Sequence, residues 1–257
     1  MMKVQFVRRA LSVFLLLAIG LFAPIASAAE PLLIHVDAGN PPFMFGADER
    51  GTPLGMYPAI LYSAFKRGGT PVVVKAIPWK RALLEIELGA AGVGGIYKND
   101  ERAAKFDYSD PIFLERIAVF YNTNNPIEFN SIRDLFGKRV GVTRGWSYGD
   151  DFDLAIKYDQ VTAESTGGDQ QNFSKLALGR IDAVLAIVES GERLLEKGTK
   201  EYADIRMAKT LLVSNQAYLA FAKKANQLPS IALFNKELAK MKKDGSFNAL
   251  VQQELSR

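Results

Sequence analysis

Leu176-Ala177-Leu178-Gly179-Arg180-Ile181-Asp182-Ala183-Val184-Leu185-Ala186-Ile187 is the stretch that decides the fold class. Apolar residues at helical spacing run from Gln170 to Leu178 and stop at Gly179, a residue suited to ending a helix. Asp182 to Ile187 then forms a short, almost wholly apolar run of strand length, as in a strand covered on both faces. Helical spacing resumes from Val188 to Lys197. A buried strand between two helices implies a parallel sheet with helices on its faces.

The same alternation extends in both directions. Upstream, Arg139 to Thr143 (RVGVT) reads as a strand and Tyr148 to Lys157 as a helix. Nearer the N-terminus, Leu32 to Val36 reads as a strand, followed by a loop where Gly39, Pro41 and Pro42 interrupt regular structure. Pro58 suits the first turn of a helix carrying Ile60, Leu61, Ala64 and Phe65. A strand over Pro71 to Ala76, a helix over Ala82 to Leu88, a strand over Val93 to Tyr97 and a short polar turn or helix over Asn99 to Ala104 follow. The polar stretch Asn122 to Pro126 looks like a connection, after which the pattern restarts. The chain closes with a strand over Ala217 to Ala222 and helices over Gln227 to Lys243 and Ser246 to Leu255. Two α/β units are expected, each with its own sheet.

Composition removes several functions. Of 257 residues, 48% are hydrophobic and 23% charged, the balance of a globular chain. The net charge of +4 suggests nucleic-acid binding, but Lys3, Arg8 and Arg9 supply most of it. Without them the basic and acidic residues nearly balance, too little for a phosphate-binding surface, so no nucleic acid is expected. Those three cations precede an apolar run from Leu11 to Ala23, then Pro24 and Ala26-Ser27-Ala28. A charged start, a short apolar middle and a small-residue exit form a secretory signal over residues 1–28, cleaved after Ala28. The run is too short for a membrane span, which needs about 20 apolar residues. Cysteine is absent, excluding disulfides, thiolate metal sites and cysteine nucleophiles. Export without disulfides points to the periplasm.

Several short motifs, in order, carry a resemblance. Pro42-Phe43 follows the first strand and Gly55 precedes the first helix. Asp100-Glu101-Arg102 is followed by Phe106-Asp107-Tyr108-Ser109-Asp110-Pro111. Ile132 to Val142 (IRDLFGKRVGV), Leu176 to Val184 (LALGRIDAV) and Lys243 to Phe247 (KDGSF) complete the set. With these motifs the chain resembles the bacterial extracellular solute-binding proteins, family 3, the periplasmic amino-acid-binding proteins of ABC importers.

The resemblance implies an α/β, two-lobed periplasmic-binding-protein fold of type II-like topology, with two mixed, mostly parallel sheets flanked by helices. Residues 29–115 with 216–257 would form lobe 1 and residues 116–215 lobe 2. Hinge strands would cross near Phe113 to Arg116 and Val213 to Asn215. A small amino acid or organic acid would be held in the cleft of a monomer, without cofactor or metal. A membrane ABC permease, or alternatively a sensor, would read the closed form.

Arg102 is the leading site candidate, because the resemblance gives it the ligand's carboxylate and its planar fork offers two parallel charge-assisted hydrogen bonds. A surface arginine paired with Asp100 or Glu101 is the plainer alternative. Trp79 resembles the family's aromatic cleft residue but equally suits a core tryptophan. Arg81 could supply a second cation or lie on a solvated helix face. Gly145, Trp146 and Ser147 precede a helix, whose free N–H groups and dipole favour an anion, with Ser147 as a candidate N-cap. Thr166, Asp37, Asn40 and Gly95 complete the candidates at strand ends and loops.

Three departures from the family pattern concern the ligand's amine. The acid that many members place at the end of the strand after Gly179 is here Ile187, with Glu189 two residues on as a substitute or as an exposed helix-start residue. Tyr97 replaces a smaller hydroxyl residue, and Gly92 replaces an aspartate. An aliphatic side chain cannot balance a buried ammonium. The expected ligand therefore carries a carboxylate and need not be a standard α-amino acid. Some relatives of the fold, dehydratases and lytic transglycosylases, are enzymes that rely on carboxylates, and Asp37 and Glu189 could reach the cleft. The only histidine, His35, sits in the first strand facing away from it, and no acid–base–nucleophile grouping is legible, so a binder is expected.

Overall fold

The computed structural model describes residues 30–198 and 200–256; the expected export signal over residues 1–28 lies outside them. Among the described residues no helix is long and apolar enough to cross a membrane.

Strand β1 (Leu32–Asp37) lies between β4 (Val72–Ile77) and β5 (Gly92–Tyr97), parallel to both. A small hairpin of β2 (Gly39–Asn40) and β3 (Met44–Phe45) follows β1. Helices α1 (Met56–Arg67) and α2 (Trp79–Leu88) make the crossovers. The second half repeats the plan. Strand β8 (Arg139–Thr143) lies between β9 (Thr162–Thr166) and β10 (Ala183–Ile187), again parallel to both. Its crossovers are α4 (Asp150–Lys157) and α5 (Asp169–Ala177). The short helix α3 (Asp100–Lys105) and strand β6 (Phe106–Tyr108) follow β5, and α6 (Val188–Lys197) follows β10.

Two long antiparallel strands join the halves. Strand β7 (Phe113–Asn122) pairs with β10 through Ile117 to Tyr121, and β11 (Ile205–Ala222) pairs with β5 through Ala217 to Ala220. The two sheets thereby run into one path, β4-β1-β5-β11-β7-β10-β8-β9, with β6 on the edge of β11. Between those regions Leu114, Glu115 and Arg116 pair only with Gln216, Asn215 and Ser214, a ribbon two strands wide. Helices α7 (Leu228–Lys243) and α8 (Ser246–Leu255) return to pack on α1.

Most elements start and stop within a few residues of the expected places. Strand β11, expected only over Ala217 to Ala222, runs back to Ile205 because β7 gives it a partner along most of its length. The core is apolar on both faces of each sheet. Ile34, Val36, Val93 and Ile96 are fully covered in the first half, and Val184, Leu185 and Ile187 in the second. Fully burying such a side chain is worth roughly 1.5–3 kcal/mol, so each half holds its helices through these strands.

The candidate site at the junction of the two halves

In open parallel sheets ligands bind beyond the carboxyl ends of the strands, where the strand order reverses. Here β1 ends at Asp37, β5 at Tyr97, β8 at Thr143, β9 at Thr166 and β10 at Ile187. The two halves turn these ends toward each other, so the candidate residues of both meet along one seam.

Arg102 reaches the seam from α3. Asn99 caps this helix, its side chain accepting from the Arg102 backbone N–H at 2.9 Å, which fixes where the arginine leaves the chain. The guanidinium donates from Nη1 to the Tyr97 carbonyl at 3.2 Å and from Nη2 to the Gly145 carbonyl at 3.1 Å. Burial pulls its pKa below the usual value, partly offset by Tyr108, Asp153 and Glu101. No carboxylate among the described residues forms an ion pair with it. Asp100 and Glu101 leave it free, since Glu101 pairs with Lys105 at 2.8 Å.

Trp79, Gly95, Tyr97, Arg102, Trp146 and Ser147 line one small cavity with Glu115. Its volume is about 10 Å³, room for no more than one water. The Trp79 indole donates to the Gly145 carbonyl at 3.1 Å, and the Trp146 indole donates to Asp37 at 3.0 Å. Tyr97 and Trp146 meet edge to face, with ring centres 6.2 Å apart. Trp79 combines both expected roles, since it is 5% exposed within the core and also faces the cavity.

Three expectations are corrected. Ser147 does not cap the following helix: α4 starts at Asp150 with Gly149 at its cap, and the Ser147 hydroxyl donates to Asp153 at 2.6 Å. The first turn of α4 holds Asp150, Asp151 and Asp153, whose charge opposes an anion there. Gly145, with φ of +82°, turns its carbonyl rather than its N–H toward Arg102 and Trp79. Arg81 lies outside the cavity, 69% exposed and paired with Glu85 at 2.9 Å. Helix α2 starts at Trp79, and two residues on a helix lie about 200° apart, so a buried Trp79 turns Arg81 outward.

The remaining candidates tie the loops together. Asn40 is buried and accepts from the Ser190 hydroxyl at 3.1 Å. Ser190 also bonds the Pro41 carbonyl at 2.9 Å. The Thr166 hydroxyl donates to the Gly168 carbonyl at 2.9 Å, shaping the turn into α5. Glu189 sits in the first turn of α6, paired with Arg116 at 3.0 Å. Ile187 is fully buried in the core, and the His35 Nε2–H donates to Glu85 at 2.6 Å on the helix side of β1.

Sequence reasoning passed over one buried acid, Glu115, and took a second, Asp169, only as the end of the cleft-rim motif Thr166-Gly167-Gly168-Asp169. Glu115, in the two-stranded ribbon, accepts from the hydroxyls of Tyr57 and Tyr97. Burial pushes it up to about 7 against the pull of those donors, with Glu189 and Asp169 adding repulsion. Asp169 opens α5 and accepts from the Thr143 hydroxyl at 3.2 Å. It too is pushed up to about 7, by burial and by Asp37. A lone acid in a stretch without periodic pattern carries no sequence signal; only a register placing residue 115 between two sheets could have singled it out. Among the described residues no group of His, Asp or Glu is arranged to hold a metal ion.

Known proteins share both sequence and architecture with this chain. The L-cystine-binding protein TcyJ of Escherichia coli (strain K12) is 26% identical over 230 residues, 86% of this chain and 81% of its own. An ancestral arginine-binding protein bound to arginine superposes with a TM-score of 0.75 at 24% identity, covering 88% of this chain and 98% of that one. A histidine kinase sensor domain with similarity to periplasmic binding proteins gives 0.77 at 19% identity, covering 89% and 97%. The halves built on a repeated strand order, the seam between them and a sequence profile matched over residues 32–256 converge: the chain belongs to the bacterial extracellular solute-binding proteins, family 3.

Proposed function

We propose that this chain is a periplasmic solute-binding protein that closes two lobes around an amino acid or a related carboxylate-bearing compound and delivers it to an ABC importer. Lobe 1 comprises residues 29–115 and 216–257, lobe 2 residues 116–215, and the ribbon of Leu114–Arg116 against Ser214–Gln216 is the hinge. Export follows cleavage after Ala28. Ligand joins Arg102 first, and lobe 2 then swings Gly145 and Trp146 over it. The ligand shifts the open–closed equilibrium by its greater affinity for the closed form.

The observation that carries this reading is Arg102: a half-buried guanidinium, without an ion-pair partner among the described residues, that lines one cavity with two tryptophans from opposite halves. In this closed arrangement the Gly145 carbonyl occupies one donor that a ligand carboxylate would take. With about 10 Å³ left beside it, binding requires the halves to part first. The named relatives make cystine and arginine the first compounds to try. A thermal-shift screen of amino acids and organic acids is the test, since a specific binder raises the melting temperature by mass action. A flat response across the library removes the reading.

A further inference from the structure

Glu115 stands where the two-stranded ribbon meets the Arg102 cavity. It is 1% exposed, and its place on β7 is opposite Asn215 of β11. One carboxylate oxygen accepts from the Tyr57 hydroxyl on α1 and the other from the Tyr97 hydroxyl on β5, so both bonds tie the ribbon to the first half. Glu115 also lines the cavity that holds Arg102, and Trp146 and Ser147 of the second half close one side of that cavity. If the halves part, Trp146 and Ser147 withdraw and water reaches a carboxyl group that the closed form keeps dry.

The charges around this group decide which form of it the closed state prefers. Tyr57 and Tyr97 donate to it, and Arg102 on α3 shares its cavity without forming an ion pair with it. From the second half, Glu189 on α6 and Asp169 on α5 repel it. Arg116, the next residue of β7, is taken by Glu189 at 3.0 Å, and β11 offers the uncharged Asn215. The closed cavity thus holds one cation and one anion. A ligand carboxylate at Arg102 would bring a second negative charge into this low-dielectric place, where like charges repel strongly. A single proton on Glu115 restores the balance. Burial acts the same way, pushing the group up to about 7, whereas contact with water returns it toward the 4.5 of an exposed glutamate.

We propose that Glu115 takes one proton from solvent as the halves close and returns it as they part, so that closure over a carboxylate at Arg102 also binds a proton. The proposal rests on the two-lobed solute-binding reading and adds to it that acidity, as well as ligand, favours the closed form. Only the carboxyl O–H bond is made and broken. Between pH 4.5 and about 7 the closed form keeps a proton that the open form has released. The closed-to-open ratio therefore rises as pH falls through about 7 and levels off near 4.5. From pH 8 to pH 5.5 the rise is roughly tenfold or more.

Small-angle scattering of the purified protein without ligand, at about pH 8 and about pH 5.5, tests this. The radius of gyration should be smaller at the lower pH, and the emission of Trp79 and Trp146 should change over the same range. W146F, which lacks the indole bond to Asp37 and so leans toward the open form, repeats the comparison in case the wild type is already compact at the higher pH. E115Q should give one radius at both pH values. D169N, which removes the other buried acid near Glu115, should keep the dependence. Y57F should move the transition to higher pH, because a donor to the charged form is lost. A carboxylate with a structural role alone would change stability without making the radius depend on pH. The coupling is overturned by a radius independent of pH in both the wild type and W146F. A dependence that survives E115Q, vanishes in D169N or moves to lower pH in Y57F overturns it too. None of these outcomes touches the solute-binding reading, which stands or falls with the ligand screen.

Discussion

Arg102 and Gly145 face each other across the seam, the guanidinium Nη2 of one half donating to the backbone carbonyl of the other at 3.1 Å. Trp79 converges on the same carbonyl, so a single peptide group receives two donors from the opposite half. The positive φ of Gly145 is what aims that carbonyl.

Replacing Arg102 separates charge from geometry. A hydrogen bond to a charged group contributes about 1.5–3 kcal/mol, so R102A should weaken the strongest ligand of the thermal-shift screen by 100-fold or more. R102K keeps the charge but lacks the planar fork, and should lose about tenfold. Calorimetry on both variants checks this; a lysine variant matching the wild type would mean that charge alone suffices.

Glu115 sets a pH dependence whose sign can be worked out. Burial holds its folded pKa at about 7, above the 4.5 of an exposed glutamate. Between those values the folded protein keeps a proton that the unfolded chain has released, so this group favours folding most below pH 4.5. The advantage falls as pH rises to about 7 and is constant above it. The loss amounts to about 3 kcal/mol. Asp169, also at about 7, adds a loss of the same sign. E115Q should therefore gain stability relative to the wild type between pH 5 and 8 in urea titrations, and parallel profiles would contradict the assignment.

The Trp146–Asp37 bond should hold the closed form. W146F keeps an aromatic ring against Tyr97 but removes the indole donor at 3.0 Å from Asp37. A bond from a neutral donor to a carboxylate contributes about 1.5–3 kcal/mol, enough to move the open–closed ratio by tenfold or more. Small-angle scattering of unliganded W146F should give a larger radius of gyration than the wild type, with ligand restoring compaction. An unchanged radius would assign closure to other contacts.

Much of this was legible in the chain. Periodicity placed β1, β5, β8 and β10 because each is an apolar run bounded by glycine, proline or polar residues, and Arg102 stood out through its motif. Strand β7 was read only at its Phe113–Arg116 end, since Glu115 and Arg116 interrupt its apolar run and its pairing with β11 is set by residues about a hundred positions away. Ser147 and Arg81 were misplaced for a local reason: the first residue of a helix fixes which side chains face inward, and α2 and α4 start where sequence gives the weakest signal. Asp169 and Glu115 acquire meaning only from burial, which depends on the two halves meeting.

Closure also depends on how near two backbones can come, and here glycine is required. A methyl group at residue 39 would lie 2.9 Å from the Gly167 carbonyl, and one at Gly168 would lie 2.9 Å from the Gly39 carbonyl. Both obstacles are backbone atoms of the opposite half, which cannot rotate away as a side chain could. G39A should thus leave each half folded while holding the seam apart by a few tenths of an ångström or more. The Ser190–Asn40 and Ser190–Pro41 bonds, at 3.1 and 2.9 Å, lie beside it and would stretch with it. The expected result is a melting temperature near that of the wild type, at least tenfold weaker ligand binding, and faster ligand dissociation in stopped-flow tryptophan fluorescence, since Trp79 and Trp146 both report the seam. A G39A protein that binds as tightly as the wild type would show that the two loops need not touch for the ligand to be held.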